Sequence, residues 1–288
     1  MSSSLTRGTW LAAASYVLWG LLPLYWKALA SAGPELVLAH RILWALVFTT
    51  ALVLAFRLLP EIRQALSSAR DLLRMIGGAI LISANWWLYI WAIDAGYVVE
   101  AALGYYINPL ISVLFAVVFL KERLNAWQFG ALGFAAAAVL VLLFGLGQFP
   151  FVAFGLALTF GAYGLLKKRS RLTALTSLQL ETLFSLPLAA VLLLWGAHGT
   201  AEAPWWQGAL LVLAGPVTAI PLWLFGAGAK LIPLSRLGFL QYLSPTITLL
   251  IGLFIFGEPF DGWHAAAFAC IWAALAVFTF DSVRRART

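Results

Sequence analysis

The chain has 288 residues, of which 63% are hydrophobic and 10% charged, with a formal net charge of +7. Soluble domains are roughly 45–50% apolar and 25% charged, so an ordinary soluble fold is excluded, and the lack of short alternating segments excludes a membrane β-barrel. An all-α polytopic membrane protein remains, because several nearly charge-free segments have the ~20-residue length that crosses ~30 Å of hydrocarbon.

In chain order the predicted spans are 9–30, 36–58, 73–95, 98–120, 126–146, 149–167, 173–196, 207–229, 235–257 and 262–281. The first is read as an uncleaved helix, since Pro23 and Lys27 interrupt it and it is too long for a signal-peptide core. Its neighbours are joined by short loops; the longest connections are Leu59 to Leu72, with Pro60 and alternating charges, and Gly196 to Trp206. With the N-terminus inside, 16 of the 18 Lys and Arg residues fall in inside segments and none in outside loops, while Lys27 and Arg41 lie within spans one and two. That bias puts both termini in the cytoplasm and requires an even number of spans. It also assigns the positive charge to membrane orientation rather than to nucleic acid.

Span four repeats in span nine. Leu103-Gly-Tyr-Tyr-Ile-Asn-Pro109 and its charged end Lys121-Glu122-Arg123 return as Phe239-Leu-Gln-Tyr-Leu-Ser-Pro245 and Gly257-Glu258-Pro259, at an offset of 136 that also carries Trp87 onto Trp223 and Trp127 onto Trp263. Span four runs inward and span nine outward, so two five-helix repeats, 1–148 and 149–288, are inverted. Their charges agree with this, since Asp94 and Glu100 flank an outside turn where Lys230 and Arg236 flank the matching inside turn. Near the start of each repeat, Trp19-Gly20 lies over Phe160-Gly161 and Lys27 over Lys168 at offset 141, with Arg41 over Glu181 at 140. Inverted repeats of this kind suit a secondary transporter with its substrate site near the midplane.

Polar and aromatic groups within the spans are the candidate site. A carboxylate at Glu181 costs roughly 2.5–3.5 kcal/mol or more in hydrocarbon, so it serves either proton coupling or a substrate ammonium, or stands as a structural acid near Lys167 to Arg171. His40-Arg41 opens span two, where Arg41 either snorkels to headgroups or meets a substrate carboxylate or an outer gate. Asn85 is helix glue or a substrate contact, and Asn108 and Gln241 add directional polar groups. Trp86, Tyr89, Tyr105, Tyr106 and Tyr242 form a mid-span aromatic wall. Pro109 and Pro245 remove a helix hydrogen bond at matching positions and are candidate hinges. Only Cys270 is a cysteine, and His40, His198 and His264 are far apart, so the sequence carries no metal or cofactor motif. No Gly-rich loop runs into Lys-Ser or Lys-Thr, and no span holds a spaced acidic or histidine pair, which argues against ATP-driven transport and against a membrane-embedded enzyme.

Trp19-Gly20, Ala39-His40-Arg41, Asn85-Trp86, Glu100 to Pro109, Leu120 to Arg123, Glu181-Thr182, Leu237 to Tyr242 and Gly257-Glu258 together resemble the drug/metabolite transporter superfamily in its EamA branch, and within it the RarD group of bacterial permeases. The resemblance implies ten transmembrane helices in two inverted repeats and export from the cytoplasm across a bacterial inner membrane without ATP. The expected substrate is a small amphipathic metabolite or drug, amino-acid-like, moved by alternating access with protons as the candidate coupling ion. Small four-helix exporters of the superfamily use a glutamate in their first helix; spans one and six here hold no acid, so that mechanism does not carry over. The alternatives are a passive facilitator of a hydrophobic drug or aromatic metabolite, and a substrate-free assembly partner. The internal repeat lets one chain complete the pathway, so a monomer is expected.

Overall fold

The computed structural model describes residues 3–95, 97–146, 151–196, 205–257 and 262–287, and every regular element among them is helical. Glu258, Pro259 and His198 lie outside the described residues, as do the side chains of Asp94, Glu100 and His264. The first helices are α1 (Ser3–Ala28), α2 (Pro34–Ala55), α3 (Leu59–Ser67), α4 (Ala69–Asp94), α5 (Val98–Leu120) and α6 (Ala126–Leu146). Then follow α7 (Phe151–Arg169), α8 (Ala174–Phe184), α9 (Leu186–Gly196), α10 (Trp205–Leu231), α11 (Leu234–Leu240), α12 (Leu243–Ile251) and α13 (Gly262–Arg287). Among the described residues, six helical segments are long and apolar enough to cross a membrane: 34–55, 103–120, 151–169, 174–194, 205–231 and 234–256.

Three details differ from expectation. Leu59 to Leu72, read as a loop, contains α3. Pro60 and Glu61 in its first turn suit a helix start, and one side carries Ala65 and Ile62 against Met75, Leu172 and Leu180. Span seven is two helices, broken at Ser185 just ahead of Pro187, whose missing N–H cannot continue the ladder. Span nine is interrupted at Gln241-Tyr242, one turn before Pro245, and ends in a π-turn over Gly252–Phe256. By contrast α5 runs unbroken through Pro109.

The helices pack α5 on α7, α6 on α13, α1 on α10 and α12, and α10 on α2. They also pack α4 on α7 and α8, α2 on α8 and α9, and α5 on α11. At the centre Tyr16, Trp19, Phe160, Tyr163 and Phe225 form one aromatic cluster joining α1, α7 and α10, with Tyr163 and Phe225 stacked at 6.0 Å and 10°. Where α11 crosses α5, Gly238 lies so close that an added Cβ would stand 3.0 Å from the Pro109 carbonyl oxygen. Glu122 reaches from the end of α5 to the start of α11, accepting from the backbone N–H groups of Leu234 and Ser235 and from Ser235 Oγ at 2.7, 3.0 and 2.6 Å.

Both copies of the repeated stretch end on a left-handed residue, Lys121 at φ 55° and Gly257 at φ 66°. A side chain pays about 1–2 kcal/mol for that conformation and glycine does not. Lys121→Gly should therefore raise stability by about 1 kcal/mol, read as an upward shift in thermal unfolding of the purified protein.

Candidate functional site: an arginine among aromatics and a buried ion pair

Gly33, at φ 78°, turns the chain into α2, and Pro34 opens the helix. Arg41 follows two turns later, part-buried. Its guanidinium lies 4.7 Å from the Trp26 ring and 5.0 Å from the Trp86 ring, and its Nε donates to Thr218 Oγ1 at 3.0 Å. Tyr89 and Tyr105 lie near enough for their phenols to feel the arginine charge. Their rings meet edge to face at 6.1 Å, and both are partly open, at 38% and 46% exposure. Four helices, α1, α2, α4 and α10, with Tyr105 of α5, thus surround one cation. Among the described residues Arg41 makes no ion pair with a carboxylate. Aromatic faces satisfy a guanidinium in part, by about 0.5–2 kcal/mol each. They leave its remaining N–H groups able to fork onto a carboxylate.

A second polar centre lies between α7 and α8. Glu181, 3% exposed, pairs with Lys167, 1% exposed, at 2.6 Å. Tyr163 Oη donates to the same carboxylate at 2.9 Å, Ser177 Oγ donates to its other oxygen at 2.9 Å, and Lys167 Nζ also donates to Ser177 at 2.9 Å. Gly78 of α4 admits this cluster, since an added Cβ would meet Glu181 Oε1 at 2.9 Å. Gly78 and Trp86 are eight residues apart on one helix, so the two centres are separated by ~12 Å along it.

The two centres occupy matching places in the chain. Offset 141 carries Trp26 onto Lys167, and offset 140 carries Arg41 onto Glu181. In one copy an arginine sits on a tryptophan; in the other a glutamate sits on a lysine.

Other expected residues are placed elsewhere. His40 accepts from Trp44 Nε1 at 3.1 Å on its own helix. Asn85 donates to the Leu156 carbonyl and Thr159 Oγ1, both at 2.9 Å, and so ties α4 to α7. Tyr106 packs edge-on against Phe268 at 5.2 Å. Tyr242 is buried with Phe239 and Ile271 and donates to the Tyr106 carbonyl at 3.3 Å. Gln241 is buried at the break between α11 and α12, and Pro109 and Pro245 are both buried. Asn108 Oδ1 is buried without a hydrogen-bond partner among the described residues. The structure therefore gathers Arg41, Trp86, Tyr89 and Tyr105 and sets Tyr106, Asn108, Gln241 and Tyr242 along the α5–α11 crossing. Trp26, Thr218, Tyr163 and Ser177 were not anticipated.

Among the described residues, two cavities that open to the surface have polar or apolar linings of note. The larger, about 410 Å³, is lined by Arg7, Phe56, Thr173, Trp223, Lys230 and apolar neighbours; the smaller, about 290 Å³, is an apolar groove between α1 and α10. No group of three His, Cys, Asp or Glu side chains suited to a metal occurs among the described residues.

The profile of the EamA-like transporter family matches residues 6–144 and 150–280. The chain is 47% identical over 285 residues to the uncharacterized transporter YojE of Bacillus subtilis, covering 96% of this chain and 95% of the relative. It is 36% identical to the protein RarD of Escherichia coli, covering 98% and 97% of the two chains. It is 34% identical to the chloramphenicol-sensitive protein RarD of Pseudomonas aeruginosa, covering 98% and 96%. A solved crystal structure shares the fold at a TM-score of 0.75 and 23% identity, covering 96% of this chain and 98% of the other.

Proposed function

Because the chain belongs to the EamA-like transporter family, and is therefore a multi-pass membrane transporter rather than an enzyme, we propose that it moves a small amino-acid-like amphipathic solute by alternating access. The solute's carboxylate docks on Arg41 between Trp26 and Trp86, and its side chain rests on Tyr89 and Tyr105. The observation that carries this reading is the part-buried Arg41 guanidinium, held by aromatic faces and one hydroxyl but facing no carboxylate among the described residues. A cation desolvated in that way gains from an anionic ligand more than a solvated one does.

In this reading the membrane holds ten spans in two inverted repeats, 1–148 and 149–288. Helix packing supports the repeat: exchanging each span for its counterpart turns α5 on α7 into α12 on α1, α4 on α7 into α10 on α1, and α2 on α10 into α8 on α4, all of which occur. The distribution of Lys and Arg supports cytoplasmic termini in a bacterial inner membrane. Glu181 acts as the coupling residue, a proton on its carboxyl releasing Lys167. The crossing of α5 and α11, with Pro109 and Pro245, is the pivot, and one chain is the working unit.

The test is exchange of radiolabelled phenylalanine and tryptophan in proteoliposomes. Losing a charge-assisted hydrogen bond worth about 1.5–3 kcal/mol should cut exchange by roughly 10- to 100-fold in Arg41→Ala, with partial recovery in Arg41→Lys. Undiminished exchange in a folded Arg41→Ala protein would remove Arg41 from the site.

A further inference from the structure

We propose that the larger cavity is a second binding site, a vestibule that captures the anionic end of an aromatic or amphipathic organic acid before it enters the pathway. It opens among α1, α2, α8 and α10, and its lining combines two kinds of surface. Phe56 and Trp223 meet at 6.2 Å and 49°, and with Leu11, Leu175 and Leu231 they form an apolar wall. Arg7 and Lys230 supply positive charge at the same opening.

Lys230 makes no ion pair with a carboxylate among the described residues. The charged groups whose fields reach it are Lys167, Glu61 and Glu181. Both oxygens of Glu61 are occupied at the start of α8, by Thr173 N–H and by the hydroxyls of Thr173 and Thr176. Glu181 is held by Lys167, Tyr163 and Ser177. Lys230 has no hydrogen-bond partner of its own among the described residues. A volume of about 410 Å³ falls within the ~300–1,000 Å³ range of small-molecule sites, where an apolar wall gives affinity and a few polar groups fix orientation. Here the wall takes a ring and the two cations take a carboxylate. An organic cation of the same shape meets repulsion.

The sequence makes the capture one-sided. The position 136 residues before Lys230 is Asp94, so the corresponding turn of the other repeat carries a negative charge. An acid is attracted at one mouth of the bundle and repelled at the other, which suits loading from the side that carries Arg7 and Lys230.

The naming of this site as a vestibule rests on the transporter reading, but its occupancy is read without transport. Ala227 lines the cavity, so Ala227→Cys in a Cys270→Ser background places one thiol there. The rate of N-ethylmaleimide modification is measured in phosphatidylcholine nanodiscs with indole-3-acetate, with tryptamine, or with neither. Indole-3-acetate should slow labelling at least threefold and tryptamine should not. Protection should disappear in Lys230→Gln, weaken in Arg7→Gln, and persist in Lys230→Arg and in Arg41→Ala. Equal protection by tryptamine, or protection retained in Lys230→Gln, overturns the proposal. So does protection by phosphatidylglycerol nanodiscs alone with no further effect of indole-3-acetate, since the occupant is then a lipid headgroup. Failure here leaves the Arg41 site standing, and failure of Arg41→Ala to reduce exchange leaves this one standing.

Discussion

Lys167→Met is expected to lower stability by about 3–5 kcal/mol, the cost of leaving a buried charge without its partner. Glu181 would keep Tyr163 and Ser177 as donors, but two neutral hydrogen bonds do not replace an ammonium at 2.6 Å. Lys167→Met combined with Glu181→Gln removes both charges and should recover most of the loss, because a buried pair is often no more stabilising than a neutral pair of similar volume. Thermal unfolding of the two single variants and the double variant closes the cycle. The recovered double variant then separates stability from coupling. If Glu181 carries the proton, its exchange rate in proteoliposomes should no longer respond to an imposed pH gradient, whereas wild type should. A double variant that responds like wild type removes Glu181 from coupling and leaves the pair as a structural tie between α7 and α8.

Gly215→Ala is expected to be the most damaging single methyl in the bundle. Its Cβ would stand 2.2 Å from the Trp44 carbonyl carbon and 2.5 Å from the oxygen. Those are backbone atoms, so relief requires α2 and α10 to separate. Trp44 is one turn from Arg41, and Gly215 is one turn from Thr218, which accepts the Arg41 Nε hydrogen bond. Separation of the helices therefore stretches the arginine contact directly. Overpacking costs about 1–3 kcal/mol, and exchange should fall at least tenfold. Gly208→Ala, on the same helix with nothing within 4 Å of its added Cβ, is the matched control and should leave both stability and exchange unchanged. Equal behaviour of the two variants would show that the Trp44 contact does not set the position of Arg41.

Much of this architecture was readable in the residues. The apolar runs and the 136-residue offset rest on long stretches of sequence and survive small errors in helix ends, and the family profile matches the chain twice, at 6–144 and 150–280. Partnerships across helices were less readable. Arg41 and Glu181 stood out because charge within an apolar span is rare, but Trp26 and Thr218 carry no such mark. The offset of 141 held the missing clue, since it sets Trp26 over Lys167, the partner of Glu181. Helix α3 was hidden because Pro60 and its charged neighbours look like a turn, although the same residues suit the first turn of a helix. Tyr106 and Tyr242 have the composition of a ligand wall, and only packing assigns them to the α5–α11 crossing.

The clamp from Glu122 onto the start of α11 joins groups 112 residues apart in the chain. During synthesis the carboxylate is made well before the amides it must serve. A later half made alone lacks the carboxylate that caps the start of α11. Cutting the gene between the two halves should give fragments that accumulate when produced together. The fragment beginning near residue 149 should be degraded when produced without its companion.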